Sequence, residues 1–372
     1  MIKVCFLVSS LCNEGPVNVM YNIIQYMDFD RFDVSIITLI PEKVNSRLDD
    51  FRRLPVSIHL LFPDRMPSPV AMFREAYRCL KSVAPDMVHA HCPRSLYILY
   101  LLRKKFLTVY TVHIYPGRQQ RVLYGEFKGR LVVFLNNFAA RHLSLAIGCA
   151  ESVGELYLQH EGWSIPCIPN GCSLPLWPRD ADERLRLRRK LGLRDDVRYF
   201  IFIGRFSAEK KPAFLVEAFR RFPREDVGIV MLGDGPLLEG LRPYASDRIL
   251  MPGFQSNVYD YLIAADFYIS ASEVEGLANT LLESMTVGLP MLLSDIPSHR
   301  EVLRRIPQTV AFIYDNTDRA DLYRRAEQLL ALDYRKASDA IRQTFSDFYT
   351  ARRMSLDYQK TYVELYSQYH KH

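Results

Sequence analysis

No apolar run in this 372-residue chain approaches the roughly 18 residues that crossing a bilayer requires, because charge interrupts each one early. A membrane-spanning chain is not expected. The seven cysteines (Cys5, Cys12, Cys79, Cys92, Cys149, Cys167 and Cys172) are odd in number and contain no Cys-x-x-Cys spacing, which speaks against a disulfide framework and a zinc or redox site. No Gly-x-Gly-x-x-Gly or Walker run is present, which argues against a dehydrogenase or a P-loop NTPase. Zinc-finger spacing and aromatic-interleaved RNA signatures are also missing, so nucleic acid is not an expected partner. Met1 to Ser9 enters an apolar, β-branched segment directly, without a basic leader or a cleavage site. A reducing, cytoplasmic setting is the expectation.

What remains is an ordinary globular balance of 49% hydrophobic and 24% charged residues, in a chain too long for one comfortable core. Two domains are expected. The net charge of +6 is uneven, since the first 175 residues hold 19 Lys and Arg against 14 Asp and Glu. Such a basic half suits a solvated surface, an anionic lipid face or a phosphorylated acceptor.

Short apolar runs alternate with amphipathic stretches at Val4 to Val8, Val34 to Leu39, Val56 to Leu61, Met87 to Ala90, Thr108 to Val112 and Leu143 to Ile147. Strands separated by helices predict a doubly wound parallel α/β sheet. The segment Cys167 to Trp177, with Pro169, Pro175 and Asn170-Gly171, breaks the pattern, and a charged helix over Asp182 to Leu191 follows. The alternation restarts at Tyr199 to Ile203, Val227 to Leu232, Arg248 to Met251, Phe267 to Ile269, Pro290 to Leu293 and Val310 to Ile313. The expected domains are therefore 1–172 and 173–349. The tail from Tyr349 to Tyr369 has helical period, and its stripe of Met354, Tyr358, Tyr362, Leu365 and Tyr366 needs a packing surface.

Loops at the carboxyl ends of strands, feeding helix N-termini, are where open α/β sheets bind anions. Gly15 lies in such a loop, before a helix expected over Val17 to Tyr26. After the strand ending at Ile203, Gly204-Arg205-Phe206-Ser207-Ala208-Glu209-Lys210-Lys211 puts one Arg and two Lys where a diphosphate would sit. Ser270 to Glu283 follows another strand; if a helix opens at Gly276, Glu275 and Glu283 stand eight positions and about 12 Å apart along it. By spacing alone, two solvated acids on an amphipathic helix fit equally well. His89 and His91 point to one strand face but have no evident third partner for a metal. Asp28-Phe29-Asp30 and Asp180-Ala181-Asp182 match Asp-x-Asp, yet neither follows a strand, and solvated acids are the simpler reading.

The ordered set Gly204-Arg205-Phe206-Ser207-Ala208-Glu209-Lys210, Gly233-Asp234-Gly235-Pro236, Gly253-Phe254, Glu275-Gly276-Leu277-Ala278-Asn279-Thr280-Leu281-Leu282-Glu283 and Gly288-Leu289-Pro290 resembles glycosyltransferase family 4. Gly15-Pro16, Val88-His89-Ala90-His91, Thr111-Val112-His113 and Ile168-Pro169-Asn170-Gly171 add a looser match in the first half. Lys211 stands where many relatives have glycine, and Ala278 where many have a second one.

The resemblance implies a GT-B fold: two Rossmann-like domains facing each other, a donor domain over 173–349 and an acceptor domain over 1–172, with the C-terminal helix 350–372 crossing back onto the latter. It implies a retaining hexosyltransferase that uses a nucleotide sugar, expected to be UDP-linked. Arg205 and Lys210 would hold the diphosphate, Glu283 the ribose and Glu275 the sugar hydroxyls. Gly204, Gly276, Leu277, Ala278 and Asn279 would line the donor through their backbone, with Gly253, Phe254 and Gln255 beside the base. His113 would position the sugar, Gly15 would touch the donor and also stand on the acceptor side, and His91 would stand on the acceptor side. No cofactor and no metal are expected, since Arg205, Lys210 and a helix N-terminus would together meet most of the leaving-group charge.

Arg103-Lys104-Lys105-Phe106 and Arg118 to Arg130 mix basic and aromatic residues, which suits a lipid-linked glycan at an anionic membrane face. Bacterial surface polysaccharide assembly (O-antigen of lipopolysaccharide, capsule or exopolysaccharide), by an enzyme peripheral on the inner face of the cell membrane, is the expected setting. A soluble acceptor is the alternative. A sugar-nucleotide epimerase and a non-catalytic nucleotide-sugar binder are rivals of other classes, against which the joint presence of Arg205, Lys210, Glu275 and Glu283 argues.

Overall fold

The computed structural model describes residues 1–117, 120, 125–177, 180–307 and 309–370. The chain forms two compact units, Met1–Ser173 with Thr350–His372 and Leu174–Tyr349. Part of the basic segment 118–130 thus lies outside the described residues.

The first unit is built on a parallel six-stranded sheet: β1 (Ile2–Val8), β2 (Phe32–Thr38), β3 (Ser57–Leu60), β4 (Met87–Ala90), β5 (Leu107–Val112) and β6 (Leu145–Gly148), in the order β3-β2-β1-β4-β5-β6. The second repeats the plan with β7 (Arg198–Ile203), β8 (Val227–Leu232), β9 (Ile249–Gly253), β10 (Phe267–Ser270), β11 (Met291–Ser294) and β12 (Ala311–Tyr314), in the order β12-β11-β10-β7-β8-β9. Each of the twelve expected strands is present, its ends shifted by at most two residues. These segments read clearly because helices cover both faces of a parallel sheet, which selects continuous apolar runs such as the fully buried Val-Gly-Ile-Val-Met-Leu of β8.

In each sheet the strand order reverses once, between β1 and β4 and between β7 and β10. Where adjacent strands send their connections to opposite faces, a crevice opens at their carboxyl ends, and ligands of doubly wound sheets bind there.

The helix Ala351–Tyr369 belongs to the first unit. Met354, Tyr358 and Tyr362 have no exposed surface in its core, and Leu365 and Tyr366 pack at the margin. Polar groups fix its register: Ser355 Oγ donates to Ile23 O at 2.6 Å, and Gln359 reaches Tyr26 O and the Asp28 amide at 3.0 and 3.1 Å. Deeper in, His89 bonds Tyr362 Oη through Nδ1 at 2.7 Å and Thr111 Oγ1 through Nε2 at 2.8 Å, and Thr111 also meets Tyr358 Oη at 2.9 Å. A buried network with its members satisfied specifies one docking position where greasy contact alone would allow several.

Gly171 makes this docking possible. A Cβ there would stand 2.4 Å from the Thr350 carbonyl oxygen and 2.8 Å from Ala351 Cα, both backbone. Gly171→Ala is therefore expected to destabilise the protein by about 2 kcal/mol or more through overpacking. Gly240, in the short helix Leu238–Leu241, has nothing within 4 Å of the same position, so Gly240→Ala should be neutral or slightly stabilising. Urea unfolding of the two variants checks the contrast; equal midpoints would contradict it.

Candidate functional site

In the second unit, the loops after β7 and β10 flank the crevice, and ion pairs join them. Lys210 ends a single 3-10 turn over Ala208–Lys210, and its Nζ pairs with Glu275 Oε1. Ser272 Oγ donates to the same oxygen at 2.8 Å, while the Glu273 amide donates to Glu209 O at 2.8 Å and clasps the two loops together. Burial alone would raise the Glu275 pKa, but the Lys210 charge, its hydrogen bond and the Ser272 hydroxyl outweigh it and hold the carboxyl below its ordinary value.

The second lysine of this loop is used differently from the expectation. Lys211 Nζ pairs with Glu273 at 3.1 Å and donates to the side-chain and backbone oxygens of Asn316, both at 3.2 Å. Its backbone is left-handed, at φ 51° and ψ 44°, which accounts for a preference for glycine at this place: a side chain costs roughly 1–2 kcal/mol there, offset here by the Glu273 and Asn316 contacts. Arg205 is exposed, and its guanidinium has no hydrogen-bond or ion-pair partner among the described residues. Of the two cations expected to hold the diphosphate, Lys210 is thus paired with Glu275, and Arg205 is the one whose side chain has no such partner among the described residues.

The helix expected to open at Gly276 begins at Asn279, with Ala278 as its N-cap and no side-chain cap. Glu275 therefore lies in the preceding loop, and the rise of about 12 Å assumed between two points of one helix does not describe its relation to Glu283. Gly276 and Leu277 are buried, and Glu283 sits half-buried in the second turn. The late start follows from Gly276, which favours an irregular connection over a first helical turn. Close by, Tyr268 Oη lies 3.0 Å from Thr280 Oγ1; burial, with the charges of Glu275 and Glu283, pushes its phenol up and keeps it neutral.

The neighbouring loops close around this point. Gly204 follows β7, and Gly233 after β8 has φ 134°, where a Cβ would stand 1.9 Å from Gly204 O. Gly253 ends β9 in a left-handed conformation, followed by exposed Phe254 and by Gln255, which donates to Pro252 O at 3.1 Å.

Two residues of this cluster escaped the sequence reading. Ser272 stands three positions before Glu275, and that short spacing was the available signal. His299, in the helix Pro297–Arg305 after β11, has no local signal. Its Nδ1 lies 2.8 Å from Ser294 O, which makes it the donor, and its buried Nε2 has no hydrogen-bond partner among the described residues. Burial lowers its pKa to about 4, against the Ser294 bond and the Glu275 charge, so it presents a neutral imidazole with a bare acceptor nitrogen.

In the first unit, Ser9 Oγ and Cys92 Sγ lie 3.1 Å apart across the β1/β4 crevice. Gly15 opens the helix Gly15–Ile24, again without a side-chain cap. His91 Nδ1 and His113 Nε2 are 3.1 Å apart, so one proton sits between them. His91 is 1% exposed and its Nε2 has no partner. A buried N–H without an acceptor costs more than an idle lone pair, so His91 donates from Nδ1, and His113 is left with its proton on Nδ1. Burial lowers His113 to about 3 and His91 well below the ordinary value, the latter helped by its histidine neighbours. Both rings are neutral. His89, with both nitrogens committed within the core, is structural.

Glu275 gives a pH dependence with a definite sign. Its folded pKa lies below the ordinary 4.5, so stabilisation by the Lys210–Glu275 pair is complete above that value and is lost as pH falls through the folded pKa. The stability gap between wild type and Glu275→Gln should be about 2 kcal/mol, constant from pH 6 to 8, and should narrow below about pH 4.5. Urea midpoints across this range check it; an undiminished gap at about pH 3.5 would contradict it.

Two family models divide the chain between them: Glycosyltransferase Family 4 matches residues 14–174, and Glycosyl transferases group 1 matches 183–346. The alpha-monoglucosyldiacylglycerol synthase of Streptococcus pneumoniae is 28% identical over 243 residues, 60% of this chain and 55% of that protein. The UDP-Gal:alpha-D-GlcNAc-diphosphoundecaprenol alpha-1,3-galactosyltransferase of Escherichia coli is 24% identical over 283 residues, 72% of each chain. The chain thus spans from about half to three quarters of the length of these curated relatives. Among solved structures, Anabaena HepE in complex with UDP and glucose superposes with a TM-score of 0.80 over 98% of this chain and 100% of its own, at 16% identity. With both halves matched and the fold shared, the chain belongs to the GT-B glycosyltransferases of family 4.

Proposed function

We propose that the protein transfers a sugar, with retention of configuration, from a UDP-linked donor to a lipid-linked glycan in bacterial surface polysaccharide assembly. The observation that carries the reading is the Lys210–Glu275 pair across the β7/β10 crevice, with Arg205 on the same loop unpaired among the described residues, and the N-terminus of the helix Asn279–Val287 following in the second loop. A diphosphate entering this crevice draws Arg205 and offers Lys210 a stronger anion than one carboxylate. Glu275, released in part from Lys210, then accepts hydrogen bonds from sugar hydroxyls. Glu283 takes the ribose, while Gly253, Phe254 and Gln255 flank the base. His113, with its proton on Nδ1, supplies a neutral donor for the sugar.

In the proposed reaction the acceptor hydroxyl attacks C1 on the face that the diphosphate leaves. The C1–O bond to phosphate breaks as the bond to the acceptor forms, and the acceptor proton passes to the departing phosphate. Charge builds on that phosphate, so Arg205, Lys210 and the helix dipole act mainly on the transition state. The leaving group's two to three negative charges are met by these groups in the proposal, and no divalent metal takes part. UDP appears in the names of the E. coli relative and of the Anabaena structure; the E. coli relative's name gives a diphosphoundecaprenol-linked acceptor, and the S. pneumoniae relative is named for a glucosyldiacylglycerol.

UDP at about 100 times its dissociation constant should stabilise the protein by about 2.7 kcal/mol, and should do so in excess EDTA. Differential scanning fluorimetry with UDP, GDP and ADP, followed by sugar-transfer assays in EDTA with and without added magnesium, checks this. No shift with any nucleotide at millimolar concentration would remove the donor site. Release of UDP only after magnesium is restored would contradict the metal-free step, and sugar isomerisation without acceptor would indicate an epimerase.

A further inference from the structure

The helix Glu126–Arg141 in the first unit carries more exposed apolar surface than any packing role explains. Phe127 is 85% exposed, Leu131 53%, Phe134 62%, and Leu135 and Phe138 42% each. At about 100° per residue these five side chains share an arc of about 100°. Gly129, Asn136, Asn137, Ala139 and Ala140 are buried on the remaining face. The inner face is therefore small and amide-bearing, and the outer face large and greasy, which inverts the usual arrangement of a surface helix. On the adjoining helix Pro93–Leu102, Leu101 is 61% exposed, and Tyr100 meets Phe138 ring to ring at 5.7 Å.

Charge marks both edges of this stripe. Lys128 borders it on one side, Arg130 and Arg141 on the other, all exposed. Arg130 is held by Glu126 at 2.7 Å, a solvated pair that costs little to exchange. A second copy of the chain would bring like-charged borders together across a two-fold axis. An anionic bilayer meets them with phosphate, while the Phe and Leu side chains enter the head-group and acyl boundary and the basic stems snorkel upward.

We propose that the face of Phe127, Leu131, Phe134, Leu135 and Phe138, bordered by Lys128, Arg130 and Arg141, lies in the interface of a membrane containing anionic phospholipid. The proposal rests on the lipid-linked acceptor reading for its purpose, and it identifies the surface that brings the enzyme to such an acceptor. The helix lies parallel to the membrane plane, about 24 Å long.

The test is flotation with vesicles of phosphatidylglycerol and phosphatidylethanolamine, and with vesicles of phosphatidylcholine alone. Wild type should bind the anionic vesicles and leave the neutral ones. The triple variant Phe127→Ser, Leu131→Ser, Phe134→Ser should lower partitioning about tenfold or more. Lys128→Gln with Arg141→Gln should weaken anionic binding severalfold and reduce its salt dependence. Both variants should keep the wild-type melting temperature, since the altered side chains are exposed. Unchanged binding by the triple variant, absence of wild-type binding to either vesicle, or a wild-type dimer dissolved by the triple variant would overturn the proposal. UDP binding is read separately on the same proteins: vesicle binding without a UDP shift would fail the donor assignment and leave the membrane face standing, and the reverse would do the opposite.

Discussion

The ion pair between Lys210 and Glu275 organises the second unit's candidate site. It spans the one place where the sheet order reverses, so the crevice that topology opens is bridged by opposite charges before a ligand arrives. The pair keeps a cation ready on one loop and a carboxylate ionised on the other, with Ser272 fixing the latter. Lys211 is turned away to Glu273 and Asn316, Arg205 stays unpaired, and His299 remains neutral with a bare nitrogen nearby. In the proposed reading, a site already neutralised in this way takes a diphosphate by exchange of partners, so phosphate affinity would depend on how well Glu275 is used by the rest of the ligand.

The first unit solves a different problem, that of holding imidazoles in one protonation state. Three histidines stand in ring contact, His89 with His91 at 4.3 Å and His91 with His113 at 5.3 Å between centroids. If charged, they would repel; burial and mutual proximity keep them neutral. His89 ties the C-terminal helix to the sheet, and His91 sets the tautomer of His113. Packing of the last helix and chemistry at the strand ends thus share one buried file of rings.

Much of the fold could be read from the chain because parallel strands buried on both faces leave long apolar runs, and twelve such runs were visible. The domain junction showed itself through Pro169, Pro175 and Asn170-Gly171, and the C-terminal helix through its Tyr and Met stripe. Arg205, Lys210 and Glu275 could be placed on strand-end loops from the sequence because that placement is local. The site was misread where tertiary partners decide: Glu275 does not share a helix with Glu283, and the charges of Lys210 and Lys211 are answered by Glu275 and Glu273, more than sixty residues away in sequence. The His91–His113 pair, the role of His299 and the greasy face of Glu126–Arg141 depend on which side of an element faces inward, and the sequence pattern does not supply that.

In the proposed reaction Lys210 meets charge that appears as the diphosphate departs, and Glu283 holds a ribose contact present throughout. Steady-state kinetics of Lys210→Ala and Glu283→Ala with the sugar nucleotide varied separate the two roles most directly. Lys210→Ala should lower kcat by about 100-fold or more, whereas Glu283→Ala should mainly raise the donor KM and leave kcat within a few-fold of wild type. A Lys210→Ala enzyme that keeps its kcat and loses only donor affinity would contradict the assignment of this lysine to the leaving group.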